Sequence, residues 1–203
     1  MINFKYVKWR NFLSTGNIAS TVRLDKETTT LIIGDNGAGK STVLDALCFV
    51  LFGKAYRPIK KAQLVNTINQ RECEVEIEFQ IGTNQFKVIR GIKPNNFQIF
   101  RNGKEFDQDA HSKDFQKILE EQILKLNYRS FTQVVILGSS CFIPFMQLPT
   151  SHRREVVEDI LDIKIFSIMN LLLKQHFKST ALEISELSVE NRLNEQNKKL
   201  QQN

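Results

Sequence analysis

Apolar side chains along this 203-residue chain follow two rhythms. Between Glu72 and Ile81 the alternation is strict. Cys73, Val75, Ile77, Phe79 and Ile81 fall on one face and Glu72, Glu74, Glu76, Glu78 and Gln80 on the other, which predicts a strand with one wet face. Gly82 to Asn84 turns the chain, and Phe86, Val88 and Ile89 begin a return strand. Phe97, Ile99 and Arg101 then lead into Asn102-Gly103, a pair that supplies the two positive-φ residues a tight hairpin needs. Ile2 to Trp9 also alternates, and Ile18 to Leu24 reads as a further strand. A strand spaces its glutamates evenly instead of converging them, so the row is expected to be the solvated face of an antiparallel sheet rather than a metal or acid–base site.

Helical spacing takes over later. Phe115, Ile118, Leu119, Ile123 and Leu126 predict an amphipathic helix over 112–126. Phe131 to Leu137 contains an apolar run that reads as a buried strand; Gly138 to Ser140 breaks it and Cys141 to Met146 resumes it. Val156, Val157, Ile160 and Leu161 are the inner turns of a helix capped by Thr150 or Ser151, with Glu155 placed to complete a capping box if Ser151 leads. From Ile165 onward, Phe166, Met169, Leu173, Phe177, Thr180, Ile184 and Leu187 follow three-and-four spacing without a Gly or Pro, which predicts one long helix with a coiled-coil seam. Nothing in the chain is long enough to return along that helix, so its partner is expected in another polypeptide or a continuation.

The chain is arranged around Thr30 to Phe52, TLIIGDNGAGKSTVLDALCFVLF. Leu31, Ile32 and Ile33 predict a short strand buried on both faces. Gly34, Asp35, Asn36, Gly37, Ala38, Gly39, Lys40 and Ser41 then spell G-x-x-x-x-G-K-[ST]. Its glycines let main-chain N–H groups turn inward around a phosphate, and the next helix directs its partly positive N terminus at the same anion. Lys40 is placed to reach β- and γ-phosphates and Ser41 to ligate Mg²⁺. The helix from Ser41 to Phe52 is apolar around most of its circumference, hence buried, with Gly53 as its cap and Pro58 preventing its continuation.

Composition narrows the setting. The net charge of +6 is compatible with a polyanionic partner without demanding one. Lys54, Arg57, Lys60 and Lys61 gather beside Tyr56 in KAYRPIKK, which fits either a backbone-tracking DNA site or a solvated charged loop. Cys48, Cys73 and Cys141 are far apart and read as reduced thiols, while no apolar run suits a signal peptide or a membrane span, so a cytoplasmic protein away from the membrane is expected.

Three stretches carry a family resemblance: VKWRNFLS (Val7 to Ser14), LIIGDNGAGKSTVLDAL, and Phe131 to Phe166. Together with a P-loop core that runs into a coiled coil, they resemble the SMC-like recombination and repair ATPases of the SbcC type. FGKAYRPIKKAQLVN and PFMQLPTSHRREVVEDILDI are similar to the N-terminal part of the large subunits of T-even-like phage recombination endonucleases. The resemblance implies an α/β P-loop NTPase N-lobe of the ABC/SMC type over 1–162, with a mixed sheet and an antiparallel hairpin region, followed by the start of a coiled-coil arm over 163–203. It implies ATP and Mg²⁺ held by Gly34 to Thr42, with Lys40 on the phosphates and Ser41 on the metal. It also implies four partners: the C-terminal lobe of the same ATPase, a second head in an ATP-sandwiched homodimer, a metallo-nuclease subunit and DNA, all in the host cytoplasm if the chain is phage-encoded. Ser139 stands where cellular members carry the glutamine of their Q-loop, as a weaker Mg²⁺ ligand, and Leu13 stands where a basic residue often follows N-F. No apolar strand ending in Asp-Glu, no signature sequence and no zinc-binding cysteine pair is found. The expected function is the ATP-binding lobe of a DNA double-strand-break repair ATPase that needs its C-lobe for hydrolysis. The alternative is a nuclease-docking or DNA-binding scaffold whose coiled-coil root, Ile163 to Leu187, recruits the nuclease.

Overall fold

In the computed structural model, which describes residues 2–106, 112–137 and 143–201, the alternating stretches form one six-stranded antiparallel sheet. Strand β1 (Ile2–Arg10) pairs with β2 (Ser20–Arg23) on one side and β3 (Cys73–Ile81) on the other. Strands β4 (Asn84–Ile92), β5 (Asn96–Arg101) and β6 (Lys104–Glu105) follow as successive hairpins, giving the order β2-β1-β3-β4-β5-β6. Asn102 (φ 52°) and Gly103 (φ 80°) make the tight β5–β6 turn in the left-handed conformation that the Asn-Gly pair supplies.

Helix α1 (Thr42–Phe52) packs on the apolar face of this sheet, against β1, β3 and β4. Val7, Val75, Ile77, Phe79, Val88 and Ile99 meet Ala46, Phe49, Val50 and Leu51 in one core. The far side of α1 is covered too: Phe131 packs on Phe52 (ring centroids 5.1 Å apart) and on Phe4 (6.2 Å). A helix enclosed on both sides must be apolar all round, as its sequence is.

The last turn of α1 is closed by three different donors. Gly53 N–H donates to the Phe49 carbonyl (2.8 Å), Arg90 Nε to Val50 (3.0 Å) and Gln116 Nε2 to Leu51 (3.0 Å). The Arg90 guanidinium sits 3.7 Å from the Phe97 ring centre and donates to Gln116 Oε1 at 2.6 Å. Burial lowers the Arg90 pKa to about 10, while the negative end of the α1 dipole and nearby Glu120 favour its charge.

Helix α2 (Ser112–Lys117) continues as a π turn, Ile118–Leu124, ended by Lys125 at φ 54°. The wet face of the sheet is a ladder of cross-strand pairs. Tyr6 Oη donates to Glu76 (2.5 Å), Lys87 pairs with Glu76 (3.1 Å), Lys5 with Glu78 (3.2 Å), and Gln85 Nε2 donates to Glu78 (2.6 Å). Burial, reinforced by Glu76, pushes the Tyr6 hydroxyl well above the usual phenol range.

Four sequence expectations need correction. Leu31 to Ile33 is an exposed extended segment, not a buried strand: Leu31 is 80% and Ile33 83% exposed. A parallel strand is stable only between neighbours, and the described strands all pair antiparallel with one another. The run from Phe131 belongs largely to helix α3 (Tyr128–Val134), because Asn127 Oδ1 accepts the Ser130 N–H (2.9 Å) and starts a helical turn; Leu137 beyond it is 80% exposed. Residues Phe145–Gln147 form a 3₁₀ turn rather than a strand, while residues 138–142 lie outside those described. In helix α4 (Thr150–Ile160), Glu155 completes no capping box; its carboxylate accepts from Asn127 Nδ2 (2.6 Å) and from Arg129 Nη1.

The chain divides into two compact units, Met1–Val156 and Val157–Asn203. The second holds α5 (Lys164–Gln201), a 38-residue helix about 57 Å long whose Phe166, Met169, Leu173, Phe177, Ile184 and Leu187 are all exposed. Among the described residues no helix is long and apolar enough to cross a membrane.

Candidate functional site: the turn ahead of helix α1

Gly34 to Ser41 folds as a compact turn that ends in the N terminus of α1. Gly37 (φ 87°) and Gly39 (φ 89°) take left-handed backbone that other residues rarely adopt, so the loop can double back on itself within a few residues. Ala38 N–H donates to the Asp35 carbonyl (3.1 Å) and Thr42 N–H to Gly39 (3.0 Å). Lys40 Nζ folds inward and donates to the carbonyls of Gly34 (2.6 Å) and Asp35 (2.8 Å), which clasps the loop. The N–H groups of Gly37, Gly39, Lys40 and Ser41 donate to no group among the described residues. Free main-chain donors, a helix N terminus and a lysine ammonium form a site for an anion with several oxygens.

The turn forms one wall of a cleft of about 570 Å³, within the roughly 300–1,000 Å³ range of ligand pockets. Asn36, Gly37, Gly39, Lys40, Ser41 and Thr42 line one side; Leu13, Ser14, Ile59, Gln63, Val65 and Thr67 line the other, with Arg57 between. Leu13 therefore does border this cleft, but as an apolar wall. A cavity of about 660 Å³ elsewhere, around Tyr128 and Gln133, is larger, yet it holds no residue of the turn, and the chemistry favours the smaller cleft.

The four cations of 54–61 have different occupations. Arg57 grips Asp45, whose side chain is fully buried on the first turn of α1: Asp45 accepts from Arg57 Nε (2.7 Å), Nη2 (2.5 Å) and backbone N–H (3.0 Å). Lys54 Nζ lies 5.9 Å from the Tyr128 ring centre, and Lys61 Nζ donates to Asn95 Oδ1 (3.0 Å). Lys60 and Lys61 are exposed on the surface. Sequence alone does not reveal the Asp45–Arg57 pair, because neither a lone aspartate on an apolar helix nor an arginine in a basic loop names its partner. Ser139 lies outside the described residues. Among those described, no group of three or more His, Cys, Asp or Glu is placed to hold a metal.

Residues 6–203 match the sequence family described as an AAA domain. The protein named exonuclease subunit 2 of Enterobacteria phage T4 is 44% identical over 176 residues, which cover 86% of this chain and 31% of that protein. The protein named DNA double-strand break repair Rad50 ATPase of Thermoplasma volcanium is 25% identical over 191 residues, 89% of this chain and 20% of that protein. The chain thus spans under a third of the length of either relative. A solved chain described in terms of ATP-driven dimerization and DNA-stimulated activation of SMC ATPases shares the fold, with a TM-score of 0.54 at 23% identity over 78% of this chain and 99% of that one. Matched over nearly its whole length, the chain belongs to the AAA-domain family, with phage exonuclease subunit 2 and Rad50 ATPases among its relatives.

Proposed function

We propose that this chain is the ATP-binding N-terminal lobe of an ATPase head for DNA double-strand-break repair or recombination, with residues 1–162 as the lobe and 163–203 as the root of a coiled-coil arm. The observation that carries this reading is the turn itself: four main-chain donors without an acceptor among the described residues, ahead of α1, with Lys40 Nζ held by two neutral carbonyls. An incoming triphosphate offers Lys40 charged oxygens in place of those carbonyls, and charge-assisted hydrogen bonds are about twice as strong as neutral ones. Gly34 to Thr42 then form the cradle, and the Ser41 hydroxyl is placed to hold Mg²⁺, with Ser139 as a second candidate ligand on family resemblance alone. Bound Mg²⁺ would offset charge on the β- and γ-phosphates.

Hydrolysis is assigned to a complete head. None of the described residues that line the cleft is a carboxylate, and Asp45 behind it is committed to Arg57. The C-terminal lobe and a second head, closing as a homodimer over ATP, are the proposed source of the missing groups; a metallo-nuclease subunit and DNA are the proposed partners in end processing. The names of the T4 and Thermoplasma relatives support that setting. Titration with Mg·ATP tests the reading. Saturable binding lost in Lys40→Ala, with little turnover by this chain alone, is expected; robust turnover that survives Lys40→Ala refutes it.

A second reading, a docking scaffold, is favoured by the exposed seam of α5, where Phe166 is 65% and Leu173 66% exposed. Capture of a nuclease subunit without nucleotide, abolished when Phe166 and Leu173 become polar, supports the scaffold. Capture that requires ATP supports the ATPase lobe.

A further inference from the structure

The turn 11–17, which brings Leu13 and Ser14 to the cleft, is held in an unfavourable backbone by two buried asparagines, Asn11 and Asn66, and a half-buried third, Asn69. Asn11 (φ 49°) and Leu13 (φ 53°) both lie in the left-handed region, which suits asparagine but which leucine rarely adopts. Both polar backbone groups of Leu13 are fixed from across the fold: its N–H donates to the Leu64 carbonyl (2.7 Å), and its carbonyl accepts from Asn66 Nδ2 (3.0 Å). Asn66 is only 5% exposed, and its other polar atoms are also engaged. Its N–H donates to the Asn11 carbonyl (2.9 Å), and Oδ1 accepts the N–H groups of Ile68 and Asn69, each at 3.0 Å. Asn69 Nδ2 completes the tie by donating to Asn11 Oδ1 (2.6 Å). Backbone held in a sparsely populated region persists only where its surroundings over-determine it, and such places cluster at ligand sites.

Among the described residues no hydrogen bond joins these asparagines to the turn 34–41. The two walls of the cleft are therefore built independently: phosphate donors on one side, and on the other a surface whose apolar members are Leu13, Ile59 and Val65. A ligand whose phosphates occupy the donors of Gly37 to Ser41 has that second wall for the rest of its length.

We propose that Asn66, supported by Asn11 and Asn69, is a positioning residue for the nucleoside part of the ligand: it pins Leu13 in its left-handed backbone and so sets the wall the nucleoside rests on, leaving the phosphate grip untouched. The inference rests on the nucleotide reading of the cleft. Its rival is that Asn66 merely caps its own turn through Oδ1. Asn66→Asp separates the two, because it keeps the acceptor for Ile68 and Asn69 and replaces the donor to Leu13 with an oxygen.

The test uses the full chain, a fluorescent N-methylanthraniloyl ATP with Mg²⁺, and inorganic tripolyphosphate as competitor. Because its new oxygen faces the Leu13 carbonyl, Asn66→Asp is expected to melt about 3–10 °C below the parent and, assayed well below that midpoint, to bind the fluorescent nucleotide about five- to tenfold more weakly while keeping the parent's affinity for tripolyphosphate within about twofold. Unchanged nucleotide affinity, or equal weakening toward both ligands, overturns the inference. Should Asn66→Asp fail to fold, Asn69→Ala removes only the donor to Asn11 and must show the same split at about two- to threefold; a flat result there also overturns it. A parent chain that binds neither ligand refutes the nucleotide reading and this inference with it, whereas a parent that binds both alongside an unchanged Asn66→Asp refutes the clamp alone.

Discussion

Replacing Arg57 by alanine separates a structural cation from a DNA-binding one. Asp45 has no solvent exposure and accepts three hydrogen bonds from Arg57, two of them from the guanidinium. Truncation at Arg57 keeps the backbone donor and strands the carboxylate with it. Breaking a buried pair by removing one partner costs about 3–5 kcal/mol. The Arg57 side chain is 39% exposed, so water can stand in for part of the missing guanidinium, and the lower end, about 3 kcal/mol, applies. Asp45→Asn removes the charge instead and keeps one acceptor oxygen, but its Nδ2 then faces a donor of Arg57, so its cost is expected at about 1–3 kcal/mol. Urea unfolding followed by circular dichroism reads both as shifts in midpoint at constant m-value. The double variant is expected to be more stable than Arg57→Ala alone, since no buried charge remains to be stranded. An Arg57→Ala cost below about 1 kcal/mol, or costs that simply add in the double variant, refutes the buried-pair argument.

Three further outcomes follow from the same geometry. Arg90→Met leaves the Val50 carbonyl and Gln116 Oε1 without their donor and is expected to cost about 2 kcal/mol in the same unfolding assay; a neutral result would show that the α1 terminus does not need that cap. Burial pushes the Cys48 and Cys73 thiols up to about 12, so the folded chain keeps them neutral where the unfolded chain ionises: stability is intact below about pH 9 and falls toward pH 12, each thiol adding a slope of up to about 1.4 kcal/mol per pH unit. Cys48→Ala should flatten that alkaline slope, and an unchanged slope contradicts the assignment. For DNA, neutralising Lys60 and Lys61 is expected to lower the salt slope of binding by about 0.9 for each phosphate they neutralise, whereas an unaltered slope returns both charges to solvent.

The sheet was legible because alternation is a local signal. Cys73 to Ile81 needs only its own residues to declare a strand, and Asn102-Gly103 only its own φ angles to declare a turn. What alternation cannot declare is the partner of a polar side chain, so the glutamates read as solvated when Tyr6, Lys5, Lys87 and Gln85 in fact meet them across the ladder. Short apolar runs were the weak point. Phe131 to Leu137 has a strand-like composition, yet one asparagine cap at 127 was enough to start a helix there. Leu31 to Ile33 shows the converse: a strand is a property of neighbouring strands as much as of its own residues, and the described sheet offers none beside it.

The turn ahead of α1 was legible as a turn, since its glycines, Lys40 and Ser41 are contiguous and Gly37 and Gly39 do take the left-handed backbone their type allows. The opposite wall was not. Leu13, Val65 and Thr67 reach the cleft because the Leu13 N–H bond to Leu64, the Phe12–Val65 bridge and the side chains of Asn11, Asn66 and Asn69 join segments some fifty residues apart, and no spacing rule connects an N-F-L turn to an L-V-N turn. Arg57 belongs with them: its basic neighbours fit a DNA site or a solvated loop equally well, and its principal partner is a buried aspartate twelve positions earlier.

If main-chain amides around Lys40 grip a triphosphate, amide chemical shifts report it residue by residue. In a ¹⁵N-labelled chain titrated with ATP and Mg²⁺, the resonances of Gly37, Gly39, Lys40 and Ser41 are expected to move together and saturate, and in Lys40→Ala to stay still at the same nucleotide concentration. If those four amides remain unmoved in the parent chain while nucleotide shifts residues elsewhere, the claim is wrong.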